Sequence, residues 1–286
     1  MPIIRKQDYI REIDASLITE KIATLVKEVN YSLPKDFLSC LICAKESETN
    51  ERAKRVLSIL IENSSIAKEK QIPICQDTGL SLFFVELGED VKVKGLYSAI
   101  NSGVRRGYTE GYLRMSMVGS PLLRKNTEDN TPAIIHTEIG SGDSLKVQLL
   151  IRGGGSENMS LLKMLKPTDT EEAITEVVLA HTKEKAAFAC PPLFIGIGIG
   201  GDSGKAVLLS KKAVTRGLVR NQNERIAKLE ENLLDRINQL GIGPAGLGGR
   251  TTALSVNIEE YPTHIGLLPL AITLSCCATR YGEIEV

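Results

Sequence analysis

Apolar residues recur at three- and four-residue intervals from Ser16 to about Lys70. In ASLITEKIATLVKEV and ERAKRVLSILIEN this period predicts amphipathic helices, with Pro34 opening a further helical segment between them. After Pro73 the texture changes to short apolar runs broken by Gly and Pro, the signature of strands. LSLFFVEL reads as a first strand; AIIHTEI and LKVQLLIR, separated by GSGD, read as a hairpin. Further strands are expected at LFIGIGI, TALSVNI and LPLAITL. Two later helices stand among them. Thr168 and Glu171 suggest a capping box before AITEVVLAHTKEKAAFA. In ERIAKLEENLLDRINQL, the residues Ile226, Leu229, Leu233, Ile237 and Leu240 fall on one face before Gly241. With no repeat or low-complexity tract, the pattern predicts one α+β domain over 1–286, a helical N-terminal layer of about 1–70 packed on a mixed β-sheet with flanking helices.

Composition narrows the function. The chain has 286 residues, 42% of them hydrophobic, enough for a substantial core. Lys plus Arg equal Asp plus Glu at 35 each, and no basic run could track a phosphate backbone, so no nucleic acid is expected as partner. The start, MPIIRKQDYIREID, is charged too early for a signal peptide, and the longest mostly apolar stretch, Ile265 to Ala278, falls short of the ~18 residues of a membrane span. A cytoplasmic chain without membrane contact is expected. Its six cysteines then read as thiols, metal ligands or catalytic groups rather than a disulfide framework.

Cys75 in PICQDTG, Cys190 in ACPPLF and the pair Cys276 and Cys277 in LSCCATR each end an apolar segment beside a turn, where a thiolate can point into a cleft. The competing reading is that each is a small buried hydrophobe. Cys40 and Cys43 lie three apart in the helix DFLSCLICAKE, which favours core packing for both. Gly196, Gly198 and Gly201 fit the dinucleotide template G-x-G-x-x-G, but so do Gly241, Gly243 and Gly246, and tight backbone approach is the better account of both runs. In IRGGGSEN, three glycines after a strand offer either a row of amides for a carboxylate or a strained turn. Asp77 in D-T-G reads alone as a turn cap, and His264 in THIGLLP as a hydrogen-bonded core residue; His136 and His181 are weaker candidates.

Taken together, CQDTG, YLRMSMVGSPLLRKNTEDNTPAIIH, LLIRGGGSEN, CPPLFIGIGIGGDSGKA, GPAGLGGRTTAL and THIGLLPLAITLSCCA resemble, in this order, the alpha portion of the class I fumarate hydratase and L-tartrate dehydratase family. The resemblance covers nearly everything from Ile72 onward. It implies a 4Fe-4S cluster on Cys75, Cys190 and Cys276, with the fourth iron left open to substrate. Cys277 is the neighbour that could displace Cys276 in this role; register with Ala278 and Arg280 favours Cys276. The resemblance further implies that Arg114, the amide of Gly154 and Gln76 hold the carboxylates of a small dicarboxylate substrate. Asp77 would protonate the departing hydroxyl, with His264 orienting or sharing the proton, while Arg124 and Lys125 are further cations outside this set. Single-chain members carry the carbon base in a second half, so a separate beta subunit is expected to supply it. Fumarate hydratase is the leading expectation and L-tartrate dehydratase the alternative, with a methyl-substituted fumarate also open. From other classes, an NAD-binding oxidoreductase and a zinc-stabilised interaction subunit compete.

Overall fold

The computed structural model describes residues 10–286, so the first nine residues of the charged opening segment lie outside it. In chain order the elements are β1 (Arg11–Ile13), α1 (Ala15–Tyr31), α2 (Lys35–Ser47), α3 (Glu51–Lys70), β2 (Leu80–Gly88), β3 (Val91–Val93), α4 (Leu96–Glu110), β4 (Ile134–Gly140) and β5 (Leu145–Arg152). There follow the short α5 (Gly154–Glu157), β6 (Leu161–Leu165), α6 (Glu171–Lys185), β7 (Leu193–Gly200), α7 (Ser203–Thr215), α8 (Glu224–Gln239), β8 (Ala253–Tyr261), β9 (Leu268–Ser275) and β10 (Arg280–Glu285). The α+β class read from the apolar periods is therefore the one observed. Among the described residues no helix is long and apolar enough to cross a membrane.

The chain divides into two compact units. The first takes residues through Ser32, Gln71–Arg152 and Arg280–Val286; the second takes Leu33–Lys70 and Gly153–Thr279. The helices expected as one opening layer are thus shared out, α1 to the first unit and α2 with α3 to the second. Both units use one strand plan. A central strand, β2 or β7, passes through a helical crossover, returns as a parallel edge strand, β4 or β8, and then crosses to the other side of the central strand as an antiparallel neighbour, β5 or β9. A fourth strand, β10 or β6, pairs antiparallel with that neighbour. Because the central strand and its antiparallel neighbour run oppositely, the start of one lies beside the end of the other: Leu80 pairs with Arg152, and Phe194 with Ser275. Every cysteine motif but the α2 pair sits at such a junction.

The hairpin expected between β4 and β5 does not form, because β2 lies between them. Residues Leu82 to Val85 of β2 are buried on both faces, which suits a strand with neighbours on both sides, whereas β4 alternates exposed and half-buried positions, as an edge strand does. The GSGD segment instead closes over the end of β2, where Gly88 and Glu89 donate to the carbonyls of Ser144 (2.8 Å) and Gly140 (2.7 Å). The N-cap of α6 also differs: Thr170, not Thr168, accepts from the Ala173 amide. Pro167 and Thr168 are used by a turn in which Asp169 donates to the Lys166 carbonyl at 2.8 Å.

In the first unit α1 and α4 cover one face of the sheet with Ile18, Ile22, Val26, Ile100 and Val104, all 0% exposed. In the second, α8 buries Ile226, Leu229, Leu233 and Ile237 as its period requires, with Leu240 half-buried at the C-cap. On α2 the stripe is Phe37, Leu41 and Ala44; Cys40 flanks it and Cys43 is exposed, so core packing does not hold for Cys43. Burial pushes the Cys40 thiol up, reinforced by Cys43 and Asp36. At the end of α2, Glu48 is 2% exposed and accepts from the amides of Thr49 (2.9 Å), Asn50 (3.0 Å) and Arg250 (2.8 Å). Burial alone would raise its pKa, but the converging amides outweigh it and leave the carboxyl below its ordinary 4.5. The contribution of a depressed carboxyl is complete above its unfolded value and lost as pH falls through the folded one. Glu48→Gln should therefore cost about 2 kcal/mol at neutral pH, and its unfolding midpoint should fall less than that of the parent between pH 5 and 3. Parallel pH dependences by calorimetry would contradict this.

Candidate active site

In the first unit the candidate residues lie around CQDTG. The amide of Ile74 donates to the Asn30 carbonyl (2.9 Å), placing Cys75, half-buried, at the start of the turn. Asp77 Oδ1 accepts the Gly79 N–H at 3.0 Å, the local bond an Asp two residues ahead naturally makes. Gly79 has φ +67, and a Cβ there would lie 2.5 Å from the Arg152 carbonyl oxygen, so only glycine lets the turn seat on the end of β5. The buried Thr78 hydroxyl donates to the Arg114 carbonyl at 2.6 Å. Tyr108, fully buried, donates to the carbonyls of Thr78 (2.6 Å) and Gly79 (3.1 Å), and burial pushes its pKa up to about 12, keeping it a donor. Gln76 and Arg114 are exposed and Asp77 half-buried on this connected backbone. Arg124 and Lys125 stand on an exposed stretch with Leu122 (92% exposed) and Leu123 (83%).

The second unit brings two of the cysteines together. Cys190 is exposed, with φ +55, at the end of the 3-10 turn Ala186–Ala189; Pro191 and Pro192 then lead into β7. Cys276 is the first residue after β9, and its carbonyl accepts the Thr279 hydroxyl (2.6 Å) in the turn toward β10. The Cys277 amide donates to the Cys190 carbonyl at 3.0 Å. The sheet register dictates this meeting, since the start of β7 pairs with the end of β9. Gly154 is exposed at the start of α5; none of Gly153 to Gly155 has a positive φ, so the run is not a strained turn. His264 is not brought to this cysteine pair. It precedes β9 while Cys276 follows it, and the intervening strand spans roughly 25 Å at its ordinary rise. Far from being a core residue, His264 is exposed, and its Nδ1 accepts the Gly266 N–H at 3.1 Å, which places the neutral ring's proton on Nε2.

All six cysteines are described and none is in a disulfide. Among the described residues, no three His, Cys, Asp or Glu side chains gather closely enough to hold a single metal ion, the arrangement a structural zinc needs. A cluster asks less proximity, because each thiolate binds a different iron. The donors fit such a group chemically: thiols at turns, beside exposed backbone. A further observation agrees with it. Arg280 is 2% exposed, its Nη1 donates to Asn30 Oδ1 at 3.0 Å, and its Nε has no hydrogen-bond partner. The guanidinium is thus anchored on Asn30, whose carbonyl also holds the Ile74 amide next to Cys75. Arg280, Tyr108 and Asn130 were missed in the sequence, where nothing marks a polar residue as buried. The glycine template is explained differently. Gly196 and Gly198 lie inside β7, where a Cβ would sit 2.0 Å from the carbonyls of Ser210 and Ala206, so they seat α7 on the sheet and form no phosphate loop.

Comparison with known proteins gives the family. The family model described as fumarate hydratase (fumerase) matches residues 19–285. A relative from Methanocaldococcus jannaschii, named provisionally as L(+)-tartrate dehydratase subunit alpha, is 38% identical over 92% of this chain and 95% of its own. The L(+)-tartrate dehydratase subunits alpha of Escherichia coli K12 and Shigella sonnei are each 30% identical over 94% of this chain and 90% of theirs. With the family model matching almost the whole length, the chain belongs to the fumarate hydratase (fumerase) family of hydro-lyases, which includes the tartrate dehydratase alpha subunits.

Proposed function

We propose that this chain is the alpha subunit of an iron-sulfur hydro-lyase that dehydrates L(+)-tartrate. Fumarate, the leading expectation although the motifs do not separate the two substrates, becomes the second reading because the similar relatives carry tartrate dehydratase names. The observation that carries the chemistry is the 3.0 Å bond from the Cys277 amide to the Cys190 carbonyl, which sets two of the proposed ligands on adjoining backbone. Cys75, Cys190 and Cys276 would hold a 4Fe-4S cluster. When bound, it supplies an iron without a protein ligand as a Lewis acid toward substrate oxygens.

The difficult step is removal of a weakly acidic proton from carbon beside a carboxylate, which throws negative charge onto that carboxylate. Arg114, Gln76 and the Gly154 amide hold its oxygens, and fixed donors of this kind act most strongly where charge develops. Asp77, placed by its turn bond to Gly79, gives its proton to the departing hydroxyl. Family resemblance would put His264 beside this transfer, but it stands a strand length from Cys276 and takes no step in it. The carbon base comes from a separate beta subunit, as the family resemblance implies; the relatives are named as alpha subunits. An added hydroxyl in a pocket changes selectivity by about 10- to 200-fold. Anaerobic kinetics of the two-chain enzyme should therefore give a kcat/KM for L(+)-tartrate at least about tenfold above those for fumarate and malate. The reverse order would return the chain to fumarate hydration.

A further inference from the structure

We infer that Asn130 is a positioning residue that holds the two dicarboxylate-facing segments of the first unit in register. This inference rests on the proposed substrate role of Arg114. Asn130 is 0% exposed and has φ +57, a left-handed conformation that Asn tolerates better than most residues. Its carboxamide is used on both sides. Oδ1 accepts the amides of Ser116 (2.7 Å) and Met117 (3.1 Å), two and three residues after Arg114, while Nδ2 donates to the Gly79 carbonyl (3.1 Å), directly after Asp77 and Thr78. One planar group therefore ties the turn bearing Gln76 and Asp77 to the strand-like segment bearing Arg114. The Thr78 hydroxyl makes a second tie at the Arg114 carbonyl, 2.6 Å away.

The surrounding loop fixes Asn130 in turn. Asp129 Oδ1 accepts both the amide (2.9 Å) and the hydroxyl (2.7 Å) of Thr131, and Arg105 Nε donates to Asp129 Oδ2 at 2.8 Å. Asn126 donates to the Met115 carbonyl at 2.8 Å, so the segment after Arg114 is gripped from two residues of one loop. Few side chains could replace Asn130. Asp keeps the two accepting bonds but meets the Gly79 carbonyl with an oxygen instead of a donor; Ser is too short to reach both segments. A shift of about 1 Å between groups that bind one substrate can cost about a hundredfold in rate, so the staple acts on how well Arg114 and Asp77 address the same molecule.

The test uses the anaerobically purified two-chain enzyme. Asn130→Asp should raise KM for the dicarboxylate at least about tenfold, with iron and sulfide content unchanged. Tyr31→Phe, which deletes the buried hydrogen bond of Tyr31 to the Gly111 carbonyl (3.0 Å) in the same unit, should leave KM as it is. If Asn130 acts through Arg114, the effects of Asn130→Asp and Arg114→Lys on KM should multiply to more than the double variant shows. An unchanged KM in Asn130→Asp, or fully multiplicative effects, would overturn the inference. Should Asn130→Asp not fold, Thr78→Val removes the second tie alone, and the same non-multiplicative pairing with Arg114→Lys is required. A normal KM in Arg114→Lys by itself would instead remove the substrate role of Arg114, a failure of the functional reading visible apart from anything Asn130 does.

Discussion

Replacing Cys190 or Cys276 with Ser is expected to strip iron, sulfide and visible absorbance from the chain and to lower turnover by at least about a thousandfold, the loss of several kcal/mol of metal-ion stabilisation. Cys75→Ser should do the same. Cys277→Ser is the discriminating control, because the bond Cys277 makes to the Cys190 carbonyl comes from its backbone amide and survives the change of side chain. Anaerobic purification with iron and sulfide analysis reads the result. Loss of the chromophore in Cys277→Ser with retention in Cys276→Ser would move the third ligand by one residue. Retention in all three of the other variants would remove the cluster from the proposal.

The second large effect is expected at Asp77. Asp77→Asn should lower kcat by about 10²- to 10⁴-fold, the usual worth of a placed acid, while KM and iron content stay near those of the parent. The Asn carbonyl oxygen can still accept the Gly79 N–H that Asp77 Oδ1 accepts at 3.0 Å, so this turn bond is kept while the acidic proton is lost. A kcat within threefold of the parent would show that Asp77 is a turn residue and nothing more. A parallel loss of iron would show that it acts by holding the Cys75 segment in place.

Much of the local architecture was legible because periodicity is a local property. The helices α1, α2, α3 and α8 and the strands β2, β7, β8 and β9 follow directly from spacing of apolar residues at three to four or from short apolar runs. The cysteine motifs could be found because each ends such a run, and the resemblance to the fumarase family rested on residues in a fixed order, which the family match over 19–285 bears out.

Pairing was another matter. Hydrophobic spacing tells which face of a strand is buried but not which strand lies beside it, so β4 and β5, close in sequence, were read as partners when the doubly buried β2 separates them. The choice of neighbour depends on which strand most needs cover, a comparison across the whole unit. The same holds for the site. The sequence by itself offered the candidates, through its resemblance to the family: thiols at 75, 190 and 276, with 277 beside it, a turn carboxyl at 77 and a cation at 114. Only the tertiary structure decided that the start of β7 and the end of β9 lie together, setting Cys190 beside Cys276 and 277 while leaving His264 at the other end of that strand. It also decided that Asn130 is buried. Antiparallel register joins residues far apart in the chain, and a buried hydrogen bond is defined by both its partners, neither of which a one-dimensional pattern contains.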